Sequence, residues 1–531
     1  MSVDVLMCTT ENGAISLPTT GNAQLDLFFK VNRDTPKEHL FCLLNRSWLA
    51  SPVDTLRLGF HLRDCRGGKG EKKQFYHFIE WLLLTDHTIL EQIMHHIPHY
   101  GTYKDLYQLF GTCLEKEMIN LFTFRLFWDY EYLSQDILKS SITLAAKYAP
   151  TEGGSIDKKH NAVKKFTDAL MLSPQQYRQQ ILVPLRRHLN IVETHLTNSV
   201  EDWERINFSH VPSLALKKYK KAFARHQPER YTAWLQSVKS GKSKINTDRL
   251  MPHQLVEHYV GTQNPVDETI EVQWRSLSQK LKRSLCRAFG PSIAMVDVSG
   301  SMSTSRKPGQ TLPINVAISL GILLAEMADG QFRNTFLTFS SSPELVKMKG
   351  ETLHARVAEM NRASWTQSTN FEAAFNYLLS QACINNTPAN LMPTTLFVLS
   401  DMQFDLTTDN GTNWDALNKA FAKYGYNRPR IVFWNLNGST LDFPVSANES
   451  NVQLISGFST DVLKMLLDGD QLSPVNFMRK VIDSERYSRI EIAPNIFSSV
   501  TVQQQSSTVR APQQTFTDFT IRIKTDDEKT P

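Results

Sequence analysis

Two kinds of apolar spacing divide this chain. Through the first half, apolar residues recur every three or four positions with charged residues between them. Phe75, Phe78, Ile79, Leu82 and Leu83 follow Glu71-Lys-Lys-Gln74 in this way, and Leu106, Leu109, Phe110 and Leu114 follow Gly101-Thr-Tyr-Lys-Asp105. Leu182, Leu185, Leu189 and Val192 form a third stripe, with Arg186, Arg187 and His188 interleaved. One side of a helix repeats every 3.6 residues, so each stripe predicts an amphipathic helix. Short polar turns join the stripes from about 25 to 275 with no strand between them, which suggests stacked helical pairs of the HEAT kind, although no clean period is present.

The second half carries short continuous apolar runs near 292–297, 334–339, 394–400, 430–435 and 452–455. Helical spacing separates them, as in Ile314, Ala317, Ile318, Gly321, Ile322, Leu324 and Ala325, with Pro313 suited to the first helical turn. Strands alternating with helices predict a mostly parallel sheet covered on both faces. The expected organisation is an N-terminal segment (1–24), an all-helical domain (25–280), an α/β domain (281–495) and a polar, mostly disordered tail (496–531). Within that tail Phe516-Thr-Asp-Phe-Thr-Ile-Arg-Ile523 alternates enough for a short strand. The fold class is multidomain, α plus α/β.

A length of 531 residues exceeds one ordinary core, and 41% apolar residues suffice for globular folding. The net charge of +5 is mild. Cys8, Cys42, Cys65, Cys113, Cys286 and Cys383 are scattered without a Cys-x-x-Cys pair, as reduced intracellular thiols are. The opening Met-Ser-Val-Asp-Val-Leu-Met lacks the regions of a signal peptide, and no apolar run reaches the roughly 18–20 residues that span a bilayer. These features predict an intracellular, cytoplasmic protein with no membrane partner.

The chemistry concentrates at Ile293-Ala-Met-Val-Asp-Val-Ser-Gly-Ser-Met-Ser303, where an apolar run ends in Asp297 and then places Ser299 and Ser301 at alternate positions. A buried strand delivers ligands to its C-terminal tip in this manner. One carboxylate and two hydroxyls, without Cys or His, suit a hard cation such as Mg²⁺ or Mn²⁺. Taken alone, the serines also suit a helix cap. The Asp-x-Ser-x-Ser pattern resembles the first element of the metal-ion-dependent adhesion site of von Willebrand A domains. Trp365-Thr-Gln-Ser-Thr-Asn-Phe371 and Thr394-Thr-Leu-Phe-Val-Leu-Ser-Asp401 match that site's second and third loops in order. The resemblance implies Thr369, at a helix entrance with its hydroxyl free, and Asp401 as the remaining metal ligands. It leaves one coordination position for an acidic residue of a protein partner.

Enzyme motifs are missing. A haloacid-dehalogenase phosphatase would carry a second Asp where Ser299 stands, Arg66-Gly-Gly-Lys-Gly-Glu71 lacks the P-loop spacing, and no Gly-x-Ser-x-Gly elbow occurs. His95, His96 and His99 have no Cys or carboxylate set beside them and read as structural. Trp365 reads as packing.

A wider resemblance rests on Thr10-Glu-Asn-Gly-Ala14, Asp26-Leu-Phe-Phe29, Arg66-Gly-Gly-Lys-Gly70, Ala146-Lys-Tyr-Ala-Pro150 and Val211-Pro-Ser213 together with the metal-site loops. With these the chain resembles an uncharacterised domain-of-unknown-function family of plants, fungi and large DNA viruses, which joins a helical region to a von Willebrand A domain. More distantly, the architecture is similar to the TROVE proteins typified by the Ro autoantigen, which implies binding of structured or single-stranded RNA. No RNA-contacting residue carries over.

Independent of any resemblance, residues 210–250 hold ten Lys and Arg against two acids. Lys217, Lys218, Lys220 and Lys221 flank Tyr219, and Arg225, Arg230, Lys239, Lys242 and Lys244 follow, with Tyr231 and Trp234 among them. Cations between aromatics suit single-stranded RNA through phosphate pairing and base stacking. The same lysines also suit the solvated face of a helix whose core side is Leu214, Leu216, Tyr219 and Phe223. A second basic cluster, Arg63, Arg66, Lys69, Lys72 and Lys73, surrounds a glycine turn that could hold a phosphate or only link two helices. The favoured expectation is a non-catalytic RNA-binding or ribonucleoprotein scaffold with a divalent-metal site. The alternative is a protein–protein interaction module whose metal captures a partner's acidic residue.

Overall fold

The computed structural model describes residues 7–135, 139–197, 199–285, 290–303, 311–339, 341–362, 369–408, 411–440, 442–461, 463 and 473–492. Trp365, Cys286 and the 516–523 segment lie outside the described residues, as does the tail beyond 492. Among the described residues a small antiparallel hairpin pairs β1 (Cys8–Thr9) with β2 (Ile15–Ser16). A larger mixed sheet contains β3 (Ser292–Val296), β4 (Thr335–Thr338), β5 (Leu345–Lys347), β6 (Thr395–Ser400), β7 (Arg430–Asn435) and β8 (Val452–Ser456) in the order β5-β4-β3-β6-β7-β8.

The sheet strands form where the apolar runs predict them, because strands covered on both faces need no polar alternation. Every residue of β3, β4, β6 and β8 is buried. All pairings are parallel except β4 with β5, a short half-exposed edge strand that no apolar run announced. The helix Pro313–Met327 covers β3; it is apolar almost all round and carries Pro in its first turn. Gly321 lets it approach closely, since a β-carbon there would stand 2.7 Å from Val296 Cγ2.

The first half is mostly helical. Helix Lys72–Thr85 buries Phe75, Phe78, Ile79 and Leu82, the face its stripe defines. The second stripe is also buried, yet it lies on a 3₁₀ helix, Tyr103–Leu109, and the turn after it. The Thr102–Asp105 capping box tightens that start. The third stripe crosses a π-helix, Tyr177–Leu182, into the short helix Val183–His188.

Helices and sheet are not separate bodies, since Met1–Ile490 forms one compact unit. Helix Ala23–Lys30 packs against β8 and the helix Pro474–Ile482, so the start of the chain joins the far edge of the sheet. A second tie is ionic. The guanidinium of Arg486 grips both oxygens of buried Asp64, with Nη2 2.5 Å from Oδ1, and the Tyr487 hydroxyl donates to Oδ2 at 2.9 Å.

Candidate functional site

Register decides where the site forms. β3 pairs with β6 so that Val296 lies opposite Leu399, which brings Asp297 level with Ser400 just beyond both C-terminal ends. The chain runs from β3 to β4 on one side and returns to β6 on the other, so this is the sheet's switch point, where open α/β sheets hold ligands. The Asp297 N–H donates to Leu399 O at 3.0 Å, and its carboxylate accepts from Ser299 N at 2.9 Å and Ser400 Oγ at 2.6 Å. Ser299 and Ser301 oxygens stand 3.0 Å apart, and Ser301 hydrogen-bonds Asp401. Asp401 also accepts from Gln403 N at 3.2 Å. Between them Met402 is buried with φ +68°, a left-handed conformation that non-glycine residues reach at a cost. Its N–H on Ser400 Oγ, at 3.0 Å, helps hold the turn.

Thr369 precedes the helix Phe371–Ile384, whose cap is Asn370, accepting from Ala373 N. The Thr369 hydroxyl does not stand free as the loop match implied. It lies 2.7 Å from Gln403 O and 3.0 Å from Asp405 Oδ1, and it accepts from Asn12 Nδ2 at 2.7 Å. Gln403 thereby joins Thr369 to Asp401.

Asp297, Thr369 and Asp401 are buried at 0%, 0% and 2% exposure, and Ser299 is buried beside them. Burial raises the Asp297 carboxyl above the usual carboxylate range, and the charge of Asp401 adds to the rise. Burial likewise raises Asp401, with Glu11 and Asp442 contributing. Lys30, wholly buried and 3.5 Å from Asp442, offsets that third acid, while its own ammonium is lowered by burial. Two buried carboxylates held close together at high cost are what a divalent cation relieves. The oxygen-only donor set, acids and hydroxyls, fits Mg²⁺ or Mn²⁺. Among the described residues no group of three or more His, Cys, Asp and Glu gathers as a metal site, and His95, His96 and His99 form none.

The basic residues fare unevenly. Lys69 is interior: its ammonium contacts Phe28 O, Val31 O at 2.7 Å and Ser456 Oγ at 2.7 Å, and burial lowers it to about 7. It clamps helix Ala23–Lys30 to β8 and is not available to RNA. The glycine turn's donors serve Asp64, which accepts from Arg66 N at 3.0 Å and Gly67 N at 3.2 Å. Arg66 reaches His99 O at 2.6 Å, and Arg63 pairs with Asp105. Replacing Lys69 with Met leaves interior carbonyls without a donor, so urea unfolding should show a loss of about 1–3 kcal/mol. Because the folded lysine titrates below its unfolded value, the wild type also gains stability from pH 7 towards 10.5. The Met variant loses that gain.

In the 210–250 segment, Lys217 donates to Gln254 O, Lys220 pairs with Asp267 at 2.5 Å, and Arg230 turns back onto Ile206 O at 3.0 Å. Tyr231 is buried in the helical core, and Trp234 packs against that core half-buried, with its Nε1 donating to Ser209 Oγ at 3.0 Å. Lys218 lies over the Tyr219 ring, and Lys221, Arg225, Lys242 and Lys244 are exposed. Lys239 and Lys244 line a cavity of about 770 Å³ with Arg275, Lys280 and Arg283, and Lys280 pairs there with Asp248.

Sequence reasoning missed Glu11, Asn12, Ser400, Gln403 and Asp405. Ser400 and Gln403 flank Asp401 and were within reach of the strand-tip argument. Nothing local connects Asn12 to Thr369, 357 positions away.

The model of a family described as Domain of unknown function (DUF2828) matches residues 10–120 and 91–285. The chain belongs to that family. A second family model, Domain of unknown function (DUF7788), matches residues 291–507, which include the strand tips above. The chain is 30% identical over 511 residues to the Uncharacterized protein L728 of Acanthamoeba polyphaga mimivirus, spanning 89% of this chain and 87% of that relative. Among solved structures it is similar to the RO (RSR) protein of Deinococcus radiodurans at 12% identity and a TM-score of 0.34, covering 87% of this chain and 99% of that one. No helix among the described residues is long and apolar enough to cross a membrane.

Proposed function

We propose that this chain is a non-catalytic binding scaffold whose sheet region is a von Willebrand A-type domain holding one Mg²⁺ or Mn²⁺. Asp297, Ser299, Ser301, Thr369 and Asp401 would hold the cation, which supplies a fixed positive charge able to take an anionic oxygen. The observation that carries this reading is the buried Asp297–Asp401 pair, ringed by hydroxyls at the switch point. The function that follows is capture of a carboxylate from a protein partner. Cys8, Cys42, Cys65, Cys113 and Cys383 are free thiols, in keeping with an intracellular setting. Calorimetric titration of the full chain with Mg²⁺ tests the reading. One cation should bind per chain, and the Ser299→Ala, Ser301→Ala double variant should lose it. Heats equal to dilution at millimolar Mg²⁺ would overturn it.

A second reading keeps RNA on a HEAT-like helical region, and the basic cavity of Lys239, Lys244, Arg275 and Arg283 favours it. Anisotropy of a labelled single strand against salt should then fall with a slope of about −0.7 for each phosphate neutralised. Changing Lys239, Lys244 and Arg275 together to Ala should flatten that slope. Absence of binding at low salt would end this reading.

A further inference from the structure

The Ala146-Lys-Tyr-Ala-Pro150 run lends its carbonyl groups to one wall of a cavity in the helical region. Arg186 Nε donates to Ala146 O at 2.8 Å, and its Nη2 donates to Ala149 O at 3.1 Å and Thr151 Oγ1 at 3.0 Å. The Tyr177 hydroxyl donates to Pro150 O at 3.2 Å. Arg186 and Tyr177 both line the cavity, which measures about 620 Å³. That volume suits a small-molecule ligand, and the bonds hold the wall in place before anything binds. Part of the wall is the π-helix Tyr177–Leu182, a wide turn that is rare and frequently marks a functional position.

The lining sorts into three chemistries. Arg178, Arg186, Arg187 and Arg205 place four guanidinium groups around the cavity, against the two carboxylates of Glu152 and Asp202. Arg178 and Arg187 are exposed and have no hydrogen bond or ion pair among the described residues. Arg205 stands 3.7 Å from one oxygen of Asp202, whose other oxygen accepts from Thr197 Oγ1 at 2.7 Å. A guanidinium fork takes phosphate oxygens in pairs, so three forks not committed to the wall suit a di- or triphosphate. Pro174, Leu182 and Val183 add apolar surface, and Val183 is 42% exposed. Carboxylates accept from hydroxyl groups such as those of a ribose. A site for inorganic phosphate alone needs neither the apolar surface nor the acids.

We propose that this cavity is a nucleotide site, taking a nucleoside di- or triphosphate with its phosphates on Arg178, Arg187 and Arg205. The apolar residues receive the base, and Glu152 and Asp202 receive the ribose. Arg186 is occupied by the wall and takes no phosphate. None of the lining residues belongs to the strand tips or to the cavity of Lys239 and Lys244, so the site stands apart from both readings above.

Calorimetric titration of the full chain with ADP in excess chelator tests it, since no divalent cation then acts at the strand tips. ADP should bind at one site per chain, at least about tenfold more tightly than adenosine or pyrophosphate, each of which makes only part of the contacts. The Arg178→Ala, Arg187→Ala double variant should keep its melting temperature without ligand and weaken ADP about a hundredfold, a factor of ten for each charged contact removed. Arg205→Ala, on a different segment, should weaken ADP about tenfold alone. No binding at millimolar ADP would overturn the proposal. So would pyrophosphate binding as tightly as ADP, or an ADP affinity unchanged in both variants. A short single-stranded RNA that displaces ADP at matched nucleotide concentration would make the cavity an RNA contact and end the nucleotide reading.

Discussion

Asp297→Asn should abolish Mg²⁺ binding while leaving the cation-free chain at least as stable as the wild type at pH 8. Changing a fully buried, hydrogen-bonded residue ordinarily destabilises, so the expected sign is unusual. Its cause is electrostatic. Asp297 is wholly buried, and burial and then Asp401 raise its carboxyl above the ordinary range. A carboxyl raised by folding contributes full stability while protonated, and that contribution is lost as pH climbs from about 4 through the raised value. Asparagine carries no charge and escapes the loss, so its advantage should be absent at pH 4 and largest at pH 8. Mg²⁺ should reverse the ranking at pH 8, raising the melting temperature of the wild type alone. Melting curves in chelator and in Mg²⁺ at both pH values measure this. A variant that is destabilised most at pH 8 in chelator would contradict the account.

Asp64→Asn should have the largest effect on stability, about 3–5 kcal/mol, the range for breaking one side of a buried ion pair. Asp64 has no exposed side-chain surface and holds Arg486, Tyr487 and two backbone donors. Burial alone would raise its carboxyl, but the Arg486 contact and the other donors outweigh that and hold it below the ordinary value. The sign is therefore opposite to that of Asp297. The stability is present above the unfolded value, about 4, and is lost as pH falls through the depressed folded one. Urea unfolding at pH 7 should show the loss, and at pH 3 the gap between wild type and variant should narrow. Because the contact joins residues 422 positions apart, the variant should also expose the segment after residue 483 to proteolysis.

Much of this was legible in the chain. Parallel strands buried on both faces are short continuous apolar runs, so β3, β4, β6, β7 and β8 could be placed from composition alone. Asp297, Ser299 and Ser301 are contiguous, and a strand tip turns contiguity into convergence. β5 escaped because three half-exposed residues on an edge carry no pattern. The stripe at Leu106 and Leu109 gave burial correctly and helix type wrongly, since 3₁₀ and α turns bury nearly the same positions over one turn. Lys69 misled for a physical reason: a lysine among glycines reads as a surface cation, and only the fold supplies the carbonyls around it. Tyr231 and Trp234 were readable as core partners of Phe223, but interleaved charge made them look like a stacking platform. The hairpin was the deepest omission. No local signal says which end of a sheet a turn 284 residues upstream of Asp297 will cover, counted from Gly13.

The central claim is that a cation sits between Asp297 and Asp401. Crystals of the full chain soaked in Mn²⁺ and measured at the manganese edge test it most directly. The account predicts one anomalous peak bounded by Asp297, Ser299, Ser301, Thr369 and Asp401. Well-ordered strand tips with no peak there, or with manganese bound only elsewhere, would contradict it.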